Sequence, residues 1–153
     1  STILFFLGIL MAVAALESAG ILTDFARGLD QRLHNVYAID TLIGLLSSVV
    51  DNVPLVAAAM GMYPVADAAA AAAGADPAFA AMFVQDGAFW HLLAYCAGVG
   101  GSLLIIGSAA GVVAMGLEKI DFGWYLRRIT LWALLGYLAG IGVFMAEKLL
   151  FGI

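Results

Sequence analysis

The sequence predicts an all-α integral membrane protein, and three observations support this fold class. Hydrophobic residues make up 65% of the chain and charged residues only 11%, whereas soluble domains are about half apolar and a quarter charged. The mean hydropathy is +1.08. Several apolar stretches approach or exceed the ~20 residues that a helix needs to cross a bilayer. The lipid bilayer is therefore the first expected partner of the chain.

The first and last apolar stretches are expected to form transmembrane helices, over residues 2–22 and 124–147. Residues 2–22 contain Glu17 and lack the basic start and cleavage region of a signal peptide. Residues 23–35 place apolar side chains every fourth position among charged ones, which is typical of a helix lying in the membrane interface. Residues 64–87, rich in alanine and without a basic residue, are expected to be a surface connection.

The stretch SSVVDNVP, residues 47–54, carries Asp51, Asn52 and Pro54 inside an apolar run. Pro54 removes a backbone donor and disfavours a continuous helix through this stretch. An ionised group within a membrane costs at least ~2.5–3.5 kcal/mol on the insertion scale, so a functional partner is the default hypothesis for Asp51. A helix cap formed by the Asp-Asn pair, with no ion, is the alternative.

Residues 88–117 contain a glycine cluster at 98–101, followed by Ser102 and Ser108. Because glycine in a helix costs about 1 kcal/mol relative to alanine, this cluster is a candidate for an unwound stretch. Close packing through small residues, such as Gly107 with Gly111, is the alternative. Two broken segments with polar residues at their breaks can bind a small cation through helix dipoles, freed carbonyls and a carboxylate, and oxygen ligands suit Na⁺.

Three motifs also resemble one family. SSVVDNVP, then GVGGSLLIIGSAAGVVAMG, then DFGWYLRRITLWALLGYLAG are similar to the C-terminal part of NhaD-type sodium/proton antiporters, in the ion transporter superfamily that includes arsenite and dicarboxylate carriers. The resemblance implies a re-entrant hairpin over 39–63 and an interrupted helix over 88–117, broken at about 99–108. Because the chain contains one of each, it is expected to be one repeat of an inverted-repeat transporter, with the missing N-terminal half as its partner.

The function implied is secondary active transport, exchanging Na⁺, and Li⁺ as a further candidate, for H⁺ by alternating access in the service of pH homeostasis. A low dielectric favours the protonated form of a carboxylate and a bound cation favours the ionised form, so the two ions compete for one group. We assign Asp51 as this shared carboxylate. Ser47 and Ser48 stand at i−4 and i−3 from it, on its side if the helix continues that far. The other expected ion-site residues are Asn52, Gly100, Gly101, Ser102 and Ser108.

Glu17 has two alternative roles, a proton relay or a side chain that reaches the interface. The other expectations are a homodimer, a bacterial inner membrane, no nucleic-acid partner, and no cofactor besides the transported Na⁺ and H⁺. An enzyme is not expected, since no GxSG, GxGD or HExxH motif occurs. A carrier of an oxyanion or dicarboxylate and a non-transporting membrane subunit are the alternatives. If 36–62 crosses the membrane outright, the basic residues that precede Lys148 all fall on one side, which fits the positive-inside tendency better than the three-against-two division that a hairpin produces. We choose the hairpin because the proline and the Asp-Asn pair fit its tip, and the crossing is the alternative.

Overall fold

The computed structural model describes residues 2–151, which fold into helices joined by turns. The helices are α1 Thr2–Ser18, α2 Ile21–Leu33, α3 Val36–Leu46, α4 Asn52–Met62, α5 Ala68–Ala73, α6 Pro77–Ala80, α7 Ala88–Gly100, α8 Ala109–Leu117, α9 Phe122–Arg128 and α10 Thr130–Phe151, with a 3₁₀ turn at Ala81–Phe83. Residues 2–151 contain no β-strand, and Ala66 and Val84 form an isolated bridge. The all-α prediction is confirmed. The description excludes the side chains of residues 2, 3, 5, 6, 9, 10, 13, 17, 22 and 109.

Among the described helices, α10 is the one whose length and composition suit a membrane crossing. Its 22 residues correspond to about 33 Å at the helical rise. The helix expected over 2–22 ends earlier, at Ser18, because Gly20 adopts a left-handed conformation with φ 76° and α2 begins at Ile21. The helix expected over 124–147 is likewise divided. Asp121 caps the short helix α9 by accepting a hydrogen bond from Trp124 N at 3.2 Å, and α10 then begins at Thr130.

The described residues form two compact units. Unit 1 contains Ser1–Ile39 and Val53–His91, and unit 2 contains Asp40–Asn52 and Leu92–Ile153. The chain therefore passes from one unit to the other within α3, within α4 and within α7. Every residue expected to form the ion site, apart from Glu17, belongs to unit 2.

Unit 1 is organised around an aromatic cluster. Tyr63 stacks on Phe83 with ring centroids 5.1 Å apart, and Phe89 lies 4.7 Å from Phe83. Aromatic rings at these separations attract one another, and this attraction stabilises the fold in addition to the burial of their surface. The Tyr63 hydroxyl donates to Asp30 Oδ1 at 3.2 Å, and partial burial raises the pKa of Asp30 against the opposing effects of this bond and of His34. Residues 64–87, expected as a surface connection, thus contribute the buried Phe83 to the cluster.

A polar contact extends this cluster at the surface of unit 1. The His34 ring stacks on Phe79 at 4.5 Å, and its Nε2 lies 3.0 Å from Asp76 Oδ2. Asp76 Oδ1 accepts from Phe79 N, also at 3.0 Å, and so caps α6. The backbone bond from Phe79, followed by the bond from His34, lowers the pKa of Asp76 from its ordinary value of 3.8.

Unit 2 depends on close approach of helix backbones. A Cβ atom at Gly44 of α3 would clash with Tyr137 Oη and lie 2.7 Å from both Cβ and the carbonyl O of Cys96 on α7. A Cβ at Gly100 would clash with the Gly44 carbonyl. Tyr137 of α10 is fully buried, and its hydroxyl donates to the Thr41 carbonyl at 2.8 Å. Small residues at such crossings let helices pack where burial in lipid provides no driving force.

We predict that Gly44→Ala destabilises unit 2. The added methyl has no space, and overpacking costs about 1–3 kcal/mol, which on average exceeds the ~1 kcal/mol that alanine gains in a helix. Gly98→Ala on α7 is the matched control, because a Cβ there meets nothing within 4 Å. The measurement is Tm of the purified protein in detergent. Gly44→Ala should unfold at lower temperature than the parent and Gly98→Ala should not, and equal Tm values for the two variants would contradict the packing.

We also predict that Asp76 contributes to the stability of the fold in a way that depends on pH. Because its pKa in the folded protein lies below the ordinary value, the ionised form stabilises the fold. This contribution is complete above the unfolded pKa and is lost as the pH falls through the folded pKa. Asp76→Asn retains a capping side chain but no charge, so Tm of the variant should depend less on pH in the acidic range than Tm of the parent. A parent and variant with parallel Tm-pH curves would show that the contact contributes nothing.

Candidate functional site

The first break lies in the stretch SSVVDNVP. Helix α3 ends at Leu46, residues 47–51 form a turn, and α4 begins at Asn52. Pro54 falls in the first turn of α4, where the backbone N–H groups have no partner inside the helix, so the missing donor costs nothing. Asp51 directly precedes α4 and is partly exposed, as is Asn52. A carboxylate at this position is stabilised by the helix dipole, which is the cap alternative named above.

Ser47 and Ser48 lie in this turn, so the condition attached to their placement on the side of Asp51, that the helix continues that far, is not met. The helical hydrogen bonds give way to tighter ones here, with Ser48 N donating to Leu45 O at 3.1 Å. The Ser47 hydroxyl is fully buried and donates to the Ala97 carbonyl of α7 at 2.8 Å. The Ser48 hydroxyl donates to Leu45 O at 2.6 Å. Each hydroxyl oxygen can still accept a hydrogen bond or a cation.

The second break separates α7 from α8. Helix α7 ends at Gly100, residues 101–108 form turns, and α8 begins at Ala109. Ile105 adopts φ 58°, a left-handed conformation that is a genuine outlier for a β-branched residue. Ser108 caps α8 by accepting from Gly111 N at 3.3 Å, and the exposed Ser102 hydroxyl donates to Val99 O at 2.6 Å.

The two breaks touch each other inside unit 2. A Cβ at Gly107 would clash with the Ser47 carbonyl and lie 2.7 Å from the Ser48 carbonyl oxygen. On the other side, a Cβ at Gly101 would lie 3.2 Å from the Gly107 carbonyl. Gly107 therefore lies in a helix break and also allows close packing. The unwound stretch and the packing of small residues, given as alternatives in the sequence analysis, both occur in this segment.

Two further side chains hold the second break. The Tyr125 hydroxyl of α9 donates to the Ser102 carbonyl at 2.6 Å, and Thr130 Oγ1 of α10 donates to the Leu103 carbonyl at 2.7 Å. These bonds satisfy carbonyls that the interrupted helix leaves without an internal partner. The sequence analysis did not select either residue. A hydroxyl side chain in the segment following a suspected break is the signal that could have indicated them.

The oxygen atoms at the breaks determine what the site can bind. Helices α3 and α7 both end at the breaks, and the C-terminal end of a helix carries a partial negative charge. Carbonyls, serine hydroxyls and the Asp51 carboxylate are hard oxygen donors, of the kind that suits Na⁺ rather than a transition metal. Within residues 2–151, the described side chains form no group of three or more His, Cys, Asp or Glu residues able to hold a metal ion.

One expected residue cannot be assessed, and another was overlooked. Glu17 belongs to α1, but its side chain lies outside the described part of the chain. Asp40, in the apolar run of α3, is fully buried, although the sequence analysis did not select it. The rule that identified Asp51, an acidic residue within an apolar segment, applies equally to Asp40.

The known proteins to which this chain is similar are transporters. The citrate transporter family (CitMHS) matches residues 1–85. Sodium/proton antiporter 1 of Arabidopsis thaliana is 50% identical over 94% of this chain and 22% of its own length, and sodium/proton antiporter 2 of that plant is 46% identical over 94% and 30%. The Na⁺/H⁺ antiporter NhaD of Vibrio cholerae is 38% identical over 92% of this chain and 25% of its own length. No solved structure matches the chain.

The chain spans between a fifth and a third of the length of these curated relatives. Their names agree with the resemblance drawn from the three motifs, so the predicted similarity to NhaD-type antiporters is confirmed. Transporter relatives and an apolar composition also make this an integral membrane protein. The chain belongs to the citrate transporter family, and its relatives include proteins named as sodium/proton antiporters.

Proposed function

We propose that the chain supplies half of the ion site of a transporter that exchanges Na⁺ for H⁺ by alternating access. The observation that carries this proposal is the contact between the two helix breaks, at Gly107 against the carbonyls of Ser47 and Ser48. Two helix breaks that touch each other, one of which also carries the carboxylate of Asp51, offer oxygen ligands suited to a hard monovalent cation. The names of the relatives, which are sodium/proton antiporters, support the same ions.

Asp51 is the group for which the two ions compete. Na⁺ binds the ionised carboxylate together with nearby carbonyl and hydroxyl oxygens, and a proton neutralises the same carboxylate and releases Na⁺. Net exchange requires that the site face the two sides of the membrane in turn. The re-entrant arrangement of 39–63 belongs to this proposal, as do Asn52, Ser102 and Ser108 as ligands and a homodimeric assembly. The remaining ligands come from a second repeat, the proposed N-terminal half.

The cellular membrane that contains the protein depends on the organism. Relatives come from a plant as well as from bacteria, and a bacterial inner membrane is the proposed location for this chain.

Transport of an organic anion is the alternative that one observation favours, since the matching family is described as citrate transporters. The N-termini of α4 and α8 begin at the breaks, and helix N-termini attract anions. Asp51 opposes this alternative, because a carboxylate beside the site repels a carboxylate substrate.

Asp51→Asn should abolish exchange in the intact transporter, because the substitution keeps the size of the side chain and removes the titratable group. Asp51→Glu should retain part of the activity with altered Na⁺ affinity, since the charge moves by about one methylene. The measurement is the pH change driven by Na⁺ or Li⁺ in everted vesicles at matched expression. Asp24→Asn is the control, because the Asp24 side chain is 80% exposed on α2. Exchange by Asp51→Asn at the parent rate would leave the helix-cap role as the better account of Asp51.

The apparent Na⁺ affinity of the parent should fall as the pH is lowered, because protonation and cation binding exclude each other. Citrate uptake measured in the same vesicles tests the anion alternative.

The isolated chain should be inactive. Residues 1–153 reconstituted alone in vesicles should show no Na⁺-dependent proton movement, because a half-site leaves the ion short of ligands. Circular dichroism and size-exclusion chromatography must show that the reconstituted chain is helical and monodisperse. Robust exchange by this preparation would contradict the half-site proposal.

A further inference from the structure

Asp40 is a buried carboxyl group with no hydrogen-bond partner among the side chains that the structure describes. Its exposed fraction is 0%, and among the described side chains neither Oδ1 nor Oδ2 has a hydrogen-bond partner. Burying an ionised carboxylate under these conditions is costly, because neither water nor a counter-charge replaces its hydration. The neutral acid is the form that this position tolerates.

The position of Asp40 on α3 connects it with the breaks. Asp40, Gly44 and Ser47 stand at i, i+4 and i+7, on one face of the helix. The helical bonding reaches Ser47, whose N donates to Ile43 O at 3.0 Å. Gly44 packs against α7, and the Ser47 hydroxyl binds the α7 carbonyl of Ala97. Asp40 therefore begins the face that ends at the first break.

The titratable groups that face Asp40 from α7 and α10 are a thiol and a phenol. Cys96 and Tyr137 are both fully buried, and both interact electrostatically with Asp40. The Tyr137 proton is already donated to the Thr41 carbonyl. Neither group is a cation, and a thiol with one phenol does not provide the several oxygen ligands that a hard cation needs. A proton, which needs one covalent O–H bond, satisfies Asp40 without further ligands.

We propose that Asp40 holds a proton in this conformation and is a second proton-binding carboxylate of the exchange cycle, distinct from Asp51. This inference rests on the proposed Na⁺/H⁺ exchange. In this conformation the proton stays on Asp40, because ionisation would leave a buried charge with no hydrogen-bond partner among the described side chains. When the packing around α3 opens to one side, water can solvate the carboxylate, and the proton passes to that water. A proton taken from water on the other side restores the acid before α3 packs again.

The proton on Asp40 can be detected without transport. In infrared spectra, the C=O stretch of a protonated carboxyl group is separate from the bands of ionised carboxylates. The intact transporter at neutral pH should show a carboxylic-acid band that is lost in Asp40→Asn and retained in Asp24→Asn. Asparagine resembles the neutral acid in size, so the variant is expected to fold, and circular dichroism checks this. A carboxylic-acid band of equal intensity in the parent and in Asp40→Asn would overturn the assignment of the proton.

The same variants test the role of Asp40 in exchange. The Na⁺-driven pH change in everted vesicles should be lost in Asp40→Asn, partly restored in Asp40→Glu and unchanged in Asp24→Asn. Loss in Asp40→Asn with recovery in Asp40→Glu supports a titrating group, since a purely structural carboxyl would be replaced better by asparagine than by the longer glutamate. Exchange by Asp40→Asn at the parent rate would overturn the role in transport. Parent-like exchange by Asp51→Asn would reject the proposed site and leave the infrared result for Asp40 intact.

Discussion

Direct contact between helix backbones is the constraint on which unit 2 depends. Gly44 of α3 and Gly100 of α7 lie so close that a methyl group on either would meet the other helix. In a membrane, apolar side chains gain little by moving from lipid to protein, so close van der Waals contact and buried hydrogen bonds hold helices together. The Ser47 bond to the Ala97 carbonyl joins α3 to α7 at this crossing, and the Tyr137 bond to the Thr41 carbonyl joins α10 to α3. This crossing determines where the two breaks meet.

The breaks provide backbone carbonyl groups at the point where the helices pack together. An intact helix uses its carbonyls internally, whereas an interrupted one leaves several free to bind an ion or another side chain. Tyr125 and Thr130 take up two of these carbonyls at the second break, which holds the loop in one shape. The strained backbone at Ile105 lies within the same loop. Strain of this kind persists only where the surrounding structure imposes it, and it concentrates at binding and switching sites.

Two carboxyl groups of α3 and its following turn sit in contrasting environments. Asp51 is partly exposed, directly before α4, whereas Asp40 is buried and has no hydrogen-bond partner within the described part of the chain. The two carboxyl groups therefore differ in their access to water and to other polar groups. A transporter that couples a cation to protons can use both conditions, one group to exchange ions with the site and one to carry a proton through the packed interior.

The sequence by itself determined the fold class, the family and the approximate breaks, because composition, proline and glycine act locally or through an extended pattern. Pro54 and the glycines near 100 predicted interruptions in two apolar segments, and the structure has turns at 47–51 and 101–108. Only the tertiary structure decided that Gly107 meets Ser47, that α3 ends at Leu46, and that Asp40 is buried with no hydrogen-bond partner among the described residues. Contact and burial depend on residues far apart in the chain, which local preference does not encode.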